Sequence, residues 1–248
     1  MKKQTKILYG AAYYYEYLPT DRLAEDIQMM KDAGLNVVRI GESTWATYEK
    51  QDGEFDFSTL DKVLDAMYDV GISVIVGTPT YAIPGWLAKK YPSVMVDSTW
   101  KPYGSYHYND GDGPKLYGAR QIMNITDPNY LYYAARIINN MISHVAKHPA
   151  VIGYQVDNET HHYGVQNDNV QRDFVSYIKK IYNGDIERFN HDFGLDYWSN
   201  RIDAWEDFPS MKGVVNGSLA AEFEKFQRSL VTEFQKWQVD IIHKYALD

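Results

Sequence analysis

The chain has 248 residues, with 25 Lys and Arg against 33 Asp and Glu for a net charge of −8, 15% aromatic residues including 22 tyrosines, and no cysteine. That length is enough to bury a full core, and an acidic chain without a basic cluster excludes a nucleic-acid binder. The absence of cysteine excludes disulfides, thiolate nucleophiles and Cys-ligated zinc.

Residues 7–13 (ILYGAAY) read as a first strand. Pro19 and Thr20 open a helix with the stripe Leu23, Ile27 and Met30, closed by Gly34. Residues 35–41 (LNVVRIG) are a β-branched second strand. Ser58 starts a helix whose core face is Leu60, Val63, Leu64, Met67 and Val70, ended by Gly71. Residues 72–77 (ISVIVG) form a third strand, and residues 84–91 a short helix. The segment 98–118 is aperiodic and rich in Gly, Tyr and Asp, so it reads as a long loop. A helix from Asp127 and Pro128 to about Lys147 carries Leu131, Ala135, Ile138, Met141, Ile142 and Val145 on one face, and residues 150–156 (AVIGYQV) are a fourth strand. After residue 157 only helical periods follow, over about 169–182, 185–193 and 218–246. The last has the stripe Leu219, Phe223, Phe226, Leu230, Phe234, Trp237, Ile241 and Tyr245.

Alternating apolar strands and amphipathic helices argue for βαβ units and a parallel sheet covered on both faces. No G-x-G-x-x-G follows the first strand, which disfavours a doubly wound dinucleotide fold. The expected class is therefore α/β, a TIM (β/α)8-type barrel of which this chain carries the first four βα units followed by helices. Four strands leave open edges, so residues 1–248 are expected to be the N-terminal portion of one catalytic barrel domain. No apolar h-region marks a signal peptide and no run is long enough to span a membrane, which points to a cytoplasmic protein with no membrane partner.

Barrels carry their active sites at the C-terminal ends of the strands. Three segments qualify: Gly41–Trp45, Thr78–Tyr81 with the loop that reaches Arg120, and Asp157–His162. Asn158 and Glu159 fit two readings. They either end a strand in water, or they act on a sugar: a carboxyl in a mouth walled by aromatics is partly desolvated, which raises its pKa and lets it hold a proton for a glycosidic oxygen. Arg120 is either a surface loop arginine or a group that binds sugar hydroxyls. Tyr13, Tyr14, Tyr15, Trp45, Tyr81 and Trp86 are core residues or, as a set, stacking platforms for a sugar. Adjacent His161 and His162 lack the spacing of a helical metal pair, although with Asp157 they define a metal-hydrolase alternative. Glu42 is a second strand-end carboxylate. Its strand is not a ring neighbour of the fourth, so a buried supporting role is expected for it.

Five blocks in order, GESTWATYEKQDGEFDFSTLD, TPTYAIPGWLAKKYP, YQVDNE, NRIDAWEDFP and FEKFQRSLVTEFQKWQVDII, resemble the family 42 glycoside hydrolases, the bacterial β-galactosidases. The resemblance implies a retaining glycoside hydrolase acting on terminal β-D-galactosides without a cofactor. Glu159 would be the acid/base, Asn158 a binder of the sugar in the −1 subsite, and Arg120 a substrate-contacting arginine. The family's nucleophile is a glutamate on the seventh strand, beyond Asp248, so the isolated chain is expected to be inactive. The resemblance also suggests a homotrimer when full length. Some members carry a Cys-ligated zinc. Asn124, Asp168, Val170 and Asp173 stand at the expected ligand positions here, so no metal site is expected. The long HYNDGDGPKLYG stretch leaves the terminal sugar open; the alternatives are a related glycosidase acting on arabinosides or xylosides and a non-catalytic carbohydrate-binding fragment.

Overall fold

The computed structural model describes residues 7–98, 113–114, 117 and 123–246. The chain divides into two compact units, one of Met1–Pro92, Leu131–Thr160 and Gln235–Asp248, the other of Ser93–Tyr130 and His161–Phe234.

The first unit is built on a four-stranded sheet of β1 (Gly10–Ala12), β2 (Val37–Ile40), β3 (Ser73–Gly77) and β4 (Val151–Gln155). The strands lie side by side in chain order, and every neighbouring pair is parallel. Parallel neighbours need a crossover, and the intervening segments carry α1 (Leu23–Asp32), the one-turn α2 (Trp45–Tyr48), α3 (Ser58–Asp69), α4 (Gly85–Lys90) and α5 (Pro128–Val145). This is the β-then-α repeat of a partial α/β barrel. α3 packs on β3 and α1. Val38, Ile40, Val74 and Val76 on one sheet face are buried with Leu60, Leu64 and Met67 of α3. Burying that face against the helices contributes apolar driving force at roughly 25 cal/mol per Å² removed from water.

The four strands fall where the apolar runs predict, but shorter. β1 loses its first residues for a local reason. The Asn36 side chain donates to the Ile7 carbonyl and accepts from the Tyr9 N–H, both at 2.9 Å, which takes those backbone groups out of the ladder. α1 also starts later than Pro19–Thr20 suggests, because the Asp21 carboxylate accepts from the Leu23 N–H at 3.2 Å and turns the chain just before the helix. α3 begins at Ser58 as expected, and the Asp56 carboxylate just before it accepts from the Ser58 N–H at 3.0 Å. A hairpin of Glu49–Gln51 and Glu54–Phe55 was not anticipated. Its Asp52-Gly53 turn is the signal that predicts one. Nor was the small antiparallel pair of Asp97–Ser98 with Gly113–Pro114, which begins one residue before the segment read as a long loop.

The second unit has a helical core. α6 (Asp168–Ile181) and α7 (Ile186–Phe193) bury Val170, Phe174, Ile178 and Phe189 with Trp205, Phe223 and Phe226. Phe174 meets Phe223 and Phe226 at ring centroid distances of 4.9 and 5.4 Å. α7 starts with the Asp185 carboxylate accepting from the Arg188 N–H and ends on Gly194 at φ +62°. The last helix, α8, runs Gly217–Ile242. Its expected stripe is corrected at two positions: Gln238, not Trp237, takes the fully buried place, and Tyr245 is exposed beyond the end of the helix. Among the described residues no helix is long and apolar enough to cross a membrane.

Candidate active site

The sheet register defines the site. Arg39 pairs with Ile75, Ile75 with Gly153, and Gly77 with Gln155. Side chains alternate along strands, so Arg39 and Gln155 share one sheet face, opposite the buried Val38, Val74 and Val76. At the strand ends Glu42, Thr78 and Asp157 follow β2, β3 and β4. Gly77 is required there, because a Cβ on it would stand 2.9 Å from the Glu42 Cβ and backbone N.

Glu42 is 2% exposed. It accepts from the Tyr14 hydroxyl at 2.7 Å and from Arg39 Nη2 at 2.9 Å. This agrees with a buried supporting role. Glu42 Oε2, Arg39 Nε and Gln155 Oε1 are buried without a hydrogen-bond partner among the described residues.

Asp157 is buried. Its Oδ1 accepts from the Thr80 hydroxyl and its Oδ2 from the Thr160 hydroxyl, both at 2.7 Å, while its N–H donates to Thr78 Oγ1 at 2.6 Å. Burial pushes its pKa up, against the pull of the Thr80 and Thr160 hydroxyls and the Asn158 N–H. The next two residues are the candidate pair. Asn158 is half-buried, and its Oδ1 accepts from Gln155 Nε2 at 3.0 Å. Glu159 is exposed, at φ +49°. The described residues do not enclose it, so the aromatic wall expected around it is not formed by them. Arg120 lies outside the described residues.

The expected stacking residues divide. Trp45 is fully buried and its indole N–H donates to Glu49 Oε2 at 2.9 Å. Tyr13 is buried with its hydroxyl on Asp26, and the Trp86 indole donates to the Glu49 carbonyl. These three are structural. Tyr14 is 40% exposed at a strand end with its hydroxyl on Glu42, and Tyr15 is held by Lys62 through its hydroxyl.

The described residues do not assemble the metal-hydrolase alternative. Both oxygens of Asp157 are taken by threonine hydroxyls. His161 Nδ1 accepts from the Tyr163 N–H and His162 Nδ1 from the Gly164 N–H, both at 3.0 Å, so the histidines pin a turn. Among the described residues no group of three His, Asp or Glu can hold a metal ion. The residues at the family's zinc positions do not fit zinc either. Val170 is buried in the core without a donor atom, and the Asn124 amide is bonded to Asn169 and Thr126. Burial, with His161 beside it, lowers the His162 pKa to about 4. The folded state therefore favours neutral His162, and its contribution to stability is held above the unfolded pKa of about 6.5 and lost as pH falls from there to about 4. His162→Asn, which keeps an acceptor for the Gly164 N–H, is expected to lose less stability than wild type over that window. Urea melts at both ends of it read the difference, and equal losses would contradict it.

An open groove of about 560 Å³ along β4 and the end of α8 is lined by Val151, Gly153, Tyr154, Val239, Ile242 and His243, with no carboxylate.

Residues 12–248 match the profile of glycoside hydrolase family 42, described as β-galactosidase. β-Galactosidase LacZ of Heyndrickxia coagulans is 31% identical over the whole chain, and β-galactosidase YesZ of Bacillus subtilis 29% identical over 97% of it. The chain spans 36% and 35% of these two relatives, about a third of their length. Among solved structures, the cold-adapted β-galactosidase of Rahnella sp. R3 superposes with a TM-score of 0.87 at 28% identity, covering 98% of this chain and 35% of that one. The chain belongs to the family 42 glycoside hydrolases.

Proposed function

We propose that this chain supplies the first four βα units of the catalytic barrel of a β-galactosidase-like retaining glycoside hydrolase, and that Glu159 is its proton donor. The observation that carries the proposal is position. In a chain of this family, Asn158 and Glu159 directly follow the C-terminal end of β4, the end at which barrels do chemistry. In the glycosylation step Glu159 protonates the leaving oxygen while a second carboxylate attacks the anomeric carbon. In the second step Glu159 activates the water that releases the sugar. That second carboxylate is taken to lie on a later strand, so the isolated chain is expected not to turn over substrate. Asn158, held by Gln155, and Arg120 are assigned to the sugar hydroxyls. The unpartnered polar atoms of Glu42, Arg39 and Gln155 are the kind of buried groups that a sugar or a neighbouring carboxylate satisfies.

The test is a panel of nitrophenyl glycosides offered to the full-length enzyme. Hydrolysis of the β-D-galactoside with retention, well ahead of the arabinoside and xyloside, is expected. Preference for either pentoside would replace the sugar assignment, and binding without hydrolysis of any glycoside would replace catalysis by recognition.

A further inference from the structure

We infer that Asp157 is a positioning residue for the Asn158–Glu159 turn, tied to the end of β3 and to α8 by a closed ring of hydrogen bonds through Thr78, Gln238 and Thr80. The inference rests on the reading of Glu159 as proton donor and assigns the groups that aim it.

The ring can be followed atom by atom. The Asp157 N–H donates to Thr78 Oγ1 at 2.6 Å, and the Thr78 hydroxyl donates to Gln238 Oε1 at 2.5 Å. Gln238 Nε2 donates to Thr80 Oγ1 at 3.3 Å, and the Thr80 hydroxyl returns to Asp157 Oδ1 at 2.7 Å. Around the ring each hydroxyl accepts one of these bonds and donates the next, and the two hydroxyls themselves lie 3.4 Å apart. Thr78, Thr80 and Gln238 have no solvent exposure and Asp157 is 5% exposed. Burying four polar side chains is a poor way to gain stability, since an apolar cluster of the same volume costs no desolvation. A fully satisfied ring instead confers directional rigidity.

That rigidity falls where the backbone needs it. Asp157 and Glu159 have φ values of +53° and +49°, in the left-handed region that L-residues avoid. Such conformations persist when their surroundings over-determine them. The ring and the Thr160 hydroxyl together hold the Asp157 backbone N–H and both of its carboxylate oxygens. The point at which the Glu159 side chain leaves the backbone is set two residues from this clasp. An asparagine at 157 cannot serve the ring equally, because its amide would turn donor hydrogens toward Thr80 or Thr160, both of which already donate.

The experiment uses the full-length enzyme with Asp157→Asn, Thr80→Val, Thr80→Ser and, as reference, Glu159→Gln. Asp157→Asn and Thr80→Val are expected to lower kcat/KM on an alkyl β-galactoside, whose leaving oxygen needs the proton, by about 10- to 100-fold. Their kcat/KM on the dinitrophenyl galactoside, which leaves unaided, should stay close to wild type, and Thr80→Ser should restore the loss. Parallel losses on both substrates, or no loss on either, would overturn the inference. Thr80→Val and Thr80→Ser carry the test if Asp157→Asn does not fold. A leaving-group split in Glu159→Gln without one in the ring variants removes the ring's role and leaves the proton donor standing. No split in Glu159→Gln removes the proton donor and the inference with it.

Discussion

Replacing Arg136 by Met is expected to cost about 3–5 kcal/mol of stability, the usual penalty for removing one partner of a buried ion pair. Glu49 has no solvent exposure. Arg136 Nη2 pairs with Glu49 Oε1 and with Asp52 Oδ1, and the guanidinium lies 4.6 Å from the centre of the Tyr133 ring. Glu49 also accepts from the Trp45 indole at 2.9 Å and from the Gly53 N–H at 2.8 Å. Those two bonds remain in the variant, but its carboxylate is then charged, enclosed and without a counter-charge. Methionine fills much of the arginine stem's volume, so the loss reports the charge rather than a cavity. Adding Glu49→Gln to Arg136→Met should recover part of the loss, because the stranded charge is gone. Urea denaturation of the four corners of that cycle measures the coupling. A single-variant loss below about 1 kcal/mol would mean that the pair behaves as a surface contact.

The pair also explains a feature that sequence reasoning missed. The hairpin of Glu49–Gln51 and Glu54–Phe55 carries both acidic partners of Arg136, and the Asp52-Gly53 turn between its strands was visible in the chain. The strands and main helices were legible because their information is local: apolar runs for β2 and β3, a 3.6-residue stripe for α3, glycines at helix ends. The sequence left Trp45 open between core and stacking platform, because an aromatic residue at a strand end looks the same whether it faces a ligand or a buried carboxylate; the structure places it in the core. Asn158 and Glu159 were legible as a motif following a strand. The groups around them were not. Thr78 and Gln238 are 160 positions apart and Thr80 and Asp157 are 77 apart, so the ring that joins them exists only after the sheet and α8 have assembled.

Replacing Glu159 by Gln in the full-length enzyme is expected to lower kcat/KM on alkyl galactosides by about 10²- to 10⁴-fold, the range a general acid contributes. The glutamine keeps shape and hydrogen-bonding capacity but has no proton to give. For a dinitrophenyl leaving group, protonation is not needed in the first step and kcat/KM should change little. Its kcat should fall nonetheless, because the second step still lacks a base to activate water. A uniform loss on all leaving groups would point to a binding role instead.

The most direct measurement is the configuration of the product when azide is supplied to Glu159→Ala with the dinitrophenyl galactoside. A missing acid/base leaves the covalent galactosyl intermediate intact and opens space beside it, so azide should restore turnover and yield the β-galactosyl azide. An α-azide would mean that the lost carboxylate was the nucleophile, and no rescue in a folded, substrate-binding variant would mean that Glu159 takes no part in proton transfer.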